Sequence, residues 1–257
     1  MNHPGQLALI NERIASMTSS RKTALAVGVL FLLTFITSIG AVFAYGPILT
    51  DANYITGAGA DTRVFLGAFL ELALIVTNIG CAVVLFPLLK RQNEALALAY
   101  VAERIVEGVF ILIGLLSLLV IVTLRQTAAG ADAGTLVTIG GMLRGIHSWT
   151  FLLGPSFCDG IGTGAILGYL MYRSGLVGKR MALFGLIGGP LLVAAAVAVL
   201  LGNIPQGSVV QGIATAPEFI WELFLGLYLT FKGFKPSPIL ALESSEQGSV
   251  PAYAAAA

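Results

Sequence analysis

"YVAERIVEGVFILIGLLSLLVIVTL", Tyr100–Leu124, is hydrocarbon in its second half and carries Glu103, Arg104 and Glu107 in its first. About 20 apolar residues are enough for one helix to cross a bilayer. This run is long enough, yet it holds three charges well inside the apolar stretch. How the chain accommodates them decides its architecture.

Charged residues make up 11% of the chain and apolar ones 57%, with a mean hydropathy of +0.91. Soluble domains carry about a quarter charged residues, so this chain has too few to coat a water-soluble surface. A net charge of +1 points to neither nucleic acid nor an acidic partner. Cys81 and Cys158 both fall in apolar runs and form neither a disulfide framework nor a CxxC metal pattern.

Six charge-poor runs read as spans: Ala24–Tyr45, Val64–Leu89, Ala95–Leu124, His147–Tyr172, Met181–Leu201 and Ala214–Phe231. The expected class is therefore an all-α, polytopic transmembrane bundle. Residues 1–22 read as a cytoplasmic segment suited to an interfacial helix, 23–235 as the six-span domain and 236–257 as a disordered cytoplasmic tail. The first run is too long for the core of a cleaved signal peptide, and no A-x-A-like site follows it.

Lysine and arginine set the orientation. Arg13, Arg21, Lys22, Lys90, Arg91, Arg173, Lys179, Arg180, Lys232 and Lys235 fall on one side; Arg63, Arg125 and Arg144 fall on the other. Ten against three places both termini in the cytoplasm by the positive-inside rule. Thr127–Ile146 is Gly-rich and only moderately apolar. It reads as a short re-entrant or interfacial helix on the outer face, in preference to the first turns of a long fourth helix.

At ~1.5 Å of rise per residue, Glu71 and Glu222 lie roughly 10 Å below the outer surface. Glu218 sits one turn shallower, Asp159 nearer the midplane and His147 with Arg144 at the outer mouth of span four. Glu107 lies roughly 19 Å above the cytoplasmic end of a core about 30 Å thick. Separate spans thus deliver ionisable groups to one layer, where they face one another rather than lipid. Arg104 and Glu107 are i,i+3 partners; Glu103 and Glu107, like Glu218 and Glu222, are spaced i,i+4 on one face.

An ionised side chain at the centre of a span costs about 2.5–3.5 kcal/mol, so six such acids cost at most roughly 15–20 kcal/mol. The cations at hand are Arg104, Arg144 and His147. Some carboxyls must then be protonated, solvated in a cavity or bound to a cation. The bland alternative is that buried Arg–Glu pairs only fix helix register, and that His147 is an interfacial histidine. "GIGTGA", Gly160–Ala165, has no preceding strand and is not a dinucleotide loop. Gly160, Gly164 and Gly168 instead form a small-residue ridge for helix packing. Pro87, Pro155 and Pro190 read as kinks or helix ends, with Pro155 placed to aim Asp159.

Several stretches together resemble an uncharacterised bacterial membrane family, DUF4386, over about Arg21 to Lys235. They are "RKTALAVGVLFLLTFITS", "LELALIVTNIGCAVVLFPLLK", "YVAERIVEGVFILIG", "HSWTFLLGPSFCDGIGTGAILGYLMYRSGLVGKRMALFGLIGG" and "PEFIWELFLGLYLTFKGF". The most specific matches are Arg104 with Glu107, Tyr169–Gly175, and Glu222. The resemblance implies six spans and a bacterial inner (plasma) membrane, and it assigns no activity. It also implies a second carboxylate in span two, where this chain has Asn78.

Three function classes follow. The first is a carrier or binder of a small solute, cation or proton in an outward-opening cavity built from Glu71, Asn78, Glu103, Arg104, Glu107, His147, Asp159, Glu218 and Glu222. The second is a non-catalytic structural, lipid-binding or regulatory protein. The third is an intramembrane enzyme with a carboxylate/His metal site; a single intramembrane histidine counts against zinc and against bis-histidine haem. No cofactor is expected, and the partners are the bilayer and a small solute or cation.

Overall fold

The structure is a computed structural model that describes residues 4–128 and 130–240, with side chains described from residue 19 onward. Its elements are α1 (Pro4–Thr50), α2 (Asp61–Leu89), α3 (Glu94–Thr127), α4 (Ala133–Phe151), α5 (Gly168–Ser174), α6 (Lys179–Leu200) and α7 (Val209–Phe231). Between α4 and α5 the helix widens into π-type turns at Leu152–Cys158 and Gly160–Leu167. The described residues contain no strand. The tail expected to be disordered lies outside the described residues from 241 onward.

Helix starts follow side-chain chemistry. Asn93 accepts from the Leu96 amide at 3.0 Å, Asp132 from Thr135 at 2.8 Å and Ser208 from Gln211 at 3.3 Å. Each satisfies an amide that the first turn leaves without a partner. Gly175, at φ 68°, ends α5 in the left-handed conformation that a glycine adopts without steric cost.

Each helix packs on its neighbours in sequence, and α7 returns to α1, closing a ring. At one end, Arg21 donates to the carbonyls of Leu229 (2.9 Å) and Thr230 (2.7 Å), capping the last turn of α7. The Lys235 amide reaches Leu176 O at 2.8 Å, and Gln92 reaches Leu170 O at 3.1 Å. At the other end, Arg125 bonds Asp61 and Gly57 O, and Gln206 bonds Ser148 O at 2.9 Å.

The bundle is apolar outside and holds a layer of polar and charged side chains within an otherwise apolar core. Ile36, Phe43, Phe69, Val76 and Leu98 are exposed, while Glu71, Asn78, Arg104, Glu107, Asp159 and Glu218 are buried. That inversion suits a surround of hydrocarbon rather than water. The polar layer separates two apolar clusters. One gathers Leu85, Tyr100, Leu170 and Trp221; the other gathers Tyr45, Ile48, Leu118 and Ile121.

Among the described residues, five helical stretches are long and apolar enough to cross a membrane: Ser19–Thr50, Asp61–Leu89, Glu94–Thr127, Ala133–Ser174 and Lys179–Leu200. The 23-residue α7 is not among them; Pro217, Glu218 and Glu222 lower its hydropathy.

One expectation is overturned. Ala133–Ile146 is no separate re-entrant or interfacial helix; it forms the first turns of a 42-residue helical stretch ending at Ser174. Its modest hydropathy has a local cause. Gly140 packs against Ile55 of the α1–α2 loop, and Arg144 donates to Asp51 O (3.1 Å) and Ala52 O (3.4 Å) of the same loop. The extra turns meet polar loop backbone.

Candidate functional site

Arg104 is the hub of the polar layer. It is 3% exposed, and its Nε lies 3.1 Å from Glu103 Oε2 and its Nη1 2.8 Å from Glu107 Oε2. Its Nη2 bonds both Asp159 Oδ1 and Thr163 Oγ1. The Tyr100 ring lies 5.8 Å from the guanidinium carbon. A guanidinium offers five N–H donors in a fixed fork; Glu103, Asp159 and Thr163 accept from it, and Glu107 lies beside it as an ion pair. Asn78 then donates to Glu107 Oε1 at 3.2 Å, carrying the network to α2.

Asp159 reaches this hub because the helix widens around it. It stands between the two π-type segments, with Pro155, which lacks an amide hydrogen, one turn earlier. Thr163, four residues on, bonds the same guanidinium nitrogen. Such widened turns shift side chains off the ordinary helical register.

Against this hub lies a cavity of about 220 Å³, lined by Asn78, Arg104, Glu107, Asp159, Glu218 and Glu222 among others. Thr34 and Phe35 of α1 and Phe151 of α4 close its sides. One oxygen each of Asp159, Glu218 and Glu222 lie within 4.8 Å of one another. Glu218 is 1% exposed, and neither of its carboxylate oxygens has a hydrogen-bond partner. Beyond Phe151, Ser156, Thr215 and Phe219, a second hollow of about 500 Å³ extends to Gln206, Gly207 and Ser208 in the α6–α7 loop.

Glycines make the room. A Cβ on Gly164 would strike Gly189 and would stand 2.7 Å from Glu218 Oε2; one on Gly188 would stand 3.0 Å from it. A Cβ on Gly162 would overlap the Glu103 carboxylate. The ridge of Gly160, Gly164 and Gly168 packs on Gly185, Leu186 and Gly189 of α6, and Gly164 also gives a carboxylate space.

Three residues read from the sequence as part of one cavity do not line it: Glu103, which pairs with Arg104 beside it, and Glu71 and His147, which stand apart. Glu71 accepts from Tyr45 Oη at 2.9 Å, and its Oε1 lies 3.9 Å from His147 Nε2. His147 meets the Tyr45 ring edge-on at 5.7 Å and stacks on Phe151 at 6.1 Å. Arg144 is taken up by loop carbonyls and neutralises none of the cavity's acids. Tyr45 and Thr163 carry no sequence signal of their own, although Thr163 sits one helical step beyond Asp159.

A third polar group caps the loop end. Asp61 bonds the Arg125 Nη2 and Nε (the latter at 2.9 Å), Gln126 at 2.8 Å and the Tyr54 hydroxyl at 3.1 Å. Burial, and then the bond to Asp61, push the Tyr54 phenol up to about 12.

An apolar exterior around a buried, acid-rich layer, with five helices among the described residues long and apolar enough to cross a bilayer, is compatible with a multi-pass helical membrane protein. Residues 26–233 match the family model described as "Domain of unknown function (DUF4386)", and the chain belongs to that family. Neither the curated proteins nor the solved structures contain a match to it.

Proposed function

We propose that this chain is a six-span protein of a bacterial inner (plasma) membrane that binds and carries a small cation or proton through its carboxylate-lined cavity. Both termini lie in the cytoplasm, and α7 is the sixth span. The charge pattern supports that orientation, since Arg21 and Lys235 are tied into the end opposite Arg125 and Arg144.

One observation carries the reading. Glu107, Asp159, Glu218 and Glu222, from three separate helical stretches, face one cavity whose only Lys or Arg among the described lining residues is Arg104. Glu103, Glu107 and Asp159 already share that guanidinium, so Glu218 and Glu222, which make no ion pair with it, call for positive charge from outside the protein. The second hollow, reaching the α6–α7 loop, supports access from the outer face.

Reconstituted in proteoliposomes, the protein is expected to show electrogenic or pH-dependent uptake that Glu222→Gln and Glu107→Gln abolish. Uptake absent from the wild type, or unchanged in both variants, overturns the reading. The three ion pairs of Arg104 favour a second reading, a structural protein whose ion pairs only hold the bundle together. On that reading Glu107→Gln lowers stability and no flux exists. An enzyme with a carboxylate/His metal site gains no support, because His147 keeps company with Glu71 and Tyr45 outside the cavity.

A further inference from the structure

We propose that Asp159, Glu218 and Glu222 form a site for a hard divalent cation of the calcium or manganese kind. The inference rests on the reading of the cavity as a cation-binding site and names the class of ion.

The donor set is the first argument. All three groups are carboxylates, and one oxygen of each lies within 4.8 Å of the other two. An ion coordinated at about 2.3–2.6 Å holds its ligand oxygens no further apart than about 5 Å. The three acids therefore need little movement to share one ion. Oxygen-only donors select calcium, magnesium or manganese over zinc or copper, which favour nitrogen and sulfur.

The second argument is independent of the clustering. Glu218 is 1% exposed, lines the cavity and has no hydrogen bond to either carboxylate oxygen. A buried acid is ordinarily held by donors. Here the backbone of Gly188 and Gly164 approaches it without supplying one, and the space in front of it is the cavity. A bound ion supplies the missing partner. The cavity, at about 220 Å³, also has room for several waters at about 30 Å³ each. They complete the six to eight ligands that calcium takes.

The third argument is charge. Arg104 engages Asp159 through Oδ1 and makes no ion pair with Glu218 or Glu222. Asp159 thus stands between a guanidinium that needs anions and two carboxylates that need a cation. Two positive charges balance the pair formed by Glu218 and Glu222.

The test uses the full chain in detergent micelles with Mn²⁺ as probe, read by loss of the free-ion electron paramagnetic resonance signal. The expected result is saturable binding of one Mn²⁺ per chain, displaced by Ca²⁺. Glu218→Gln and Glu222→Gln are each expected to weaken it about a hundredfold or more. Glu71→Gln, outside the cavity, is expected to leave it unchanged. Folding is checked in the same samples: Mn²⁺ raises the unfolding midpoint of the wild type but not of the two variants. Without metal, Glu218→Gln unfolds no earlier than the wild type, because it removes a buried carboxyl that has no hydrogen-bond partner.

Absence of saturable Mn²⁺ binding, or equal affinity in wild type and both variants, overturns the proposal. The outcomes separate from those of the transport experiment. Saturable binding without flux keeps the metal site and removes carriage; flux without Mn²⁺ binding keeps carriage and removes the metal site.

Discussion

Arg104 and Arg125 are built from the same parts and do different things. Each guanidinium pairs with an aspartate and lies 5.8–5.9 Å from a tyrosine ring centre. At the loop end, Arg125 and Asp61 form a one-to-one pair whose side chains are 18% and 14% exposed, with Gln126 and Tyr54 completing the aspartate's bonds. In the bundle, Arg104 is 3% exposed and meets Glu103, Glu107 and Asp159. Glu218 and Glu222 crowd in behind Asp159. The rim closes its charge balance within the protein and the interior does not. The two regions differ in the count of anions per cation more than in burial alone.

The comparison is tested first at its strongest point. Arg104→Met strands three buried acids without a cation and is expected to destabilise the protein by about 3–5 kcal/mol. Unfolding in mixed micelles measures it, and a loss under about 1 kcal/mol would erase the distinction between the two sites. Arg125→Met removes a pair that water already screens and is expected to cost about 0.2–1 kcal/mol. That small loss shrinks further at about 1 M salt, where the screening length falls to about 3 Å, while the Arg104 loss persists.

The smallest effect concerns Tyr54. Its folded-state value of about 12 stands above the ordinary 10.0, so the folded protein holds the phenolic proton more tightly than the unfolded chain. The stability this contributes is fully present below about pH 10 and is lost as pH rises through about 12. Tyr54→Phe is expected to remove that part of the alkaline decline, seen by comparing unfolding midpoints of the two proteins across this range.

Much of this arrangement was legible because lipid imposes simple rules. Runs of apolar residues marked the helices, and basic residues marked the ends. The i,i+3 spacing anticipated the Arg104–Glu107 pair, found at 2.8 Å. Which polar groups meet was less legible. Glu71 and Asn78 are two turns apart on α2 and share a face, yet only Asn78 reaches the cavity, while Glu71, about 10 Å away along the axis, meets Tyr45 and His147. The π-type turns hid Asp159's heading, since they break the period that such a reading assumes. Ala133–Ile146 misled because weak hydropathy marked a helix lying against loop backbone, not a separate element.

Where the widened helix meets α6, Gly160 and Gly164 lie against Gly189, and Gly188 backs the Glu218 carboxylate. Hydrogen atoms alone act as the spacers along that seam. The separation of Asp159 from the acids of α7 is therefore gauged by missing methyl groups on a helix that carries neither glutamate. A single alanine there would act as a shim, prising the carboxylates apart without altering one of them.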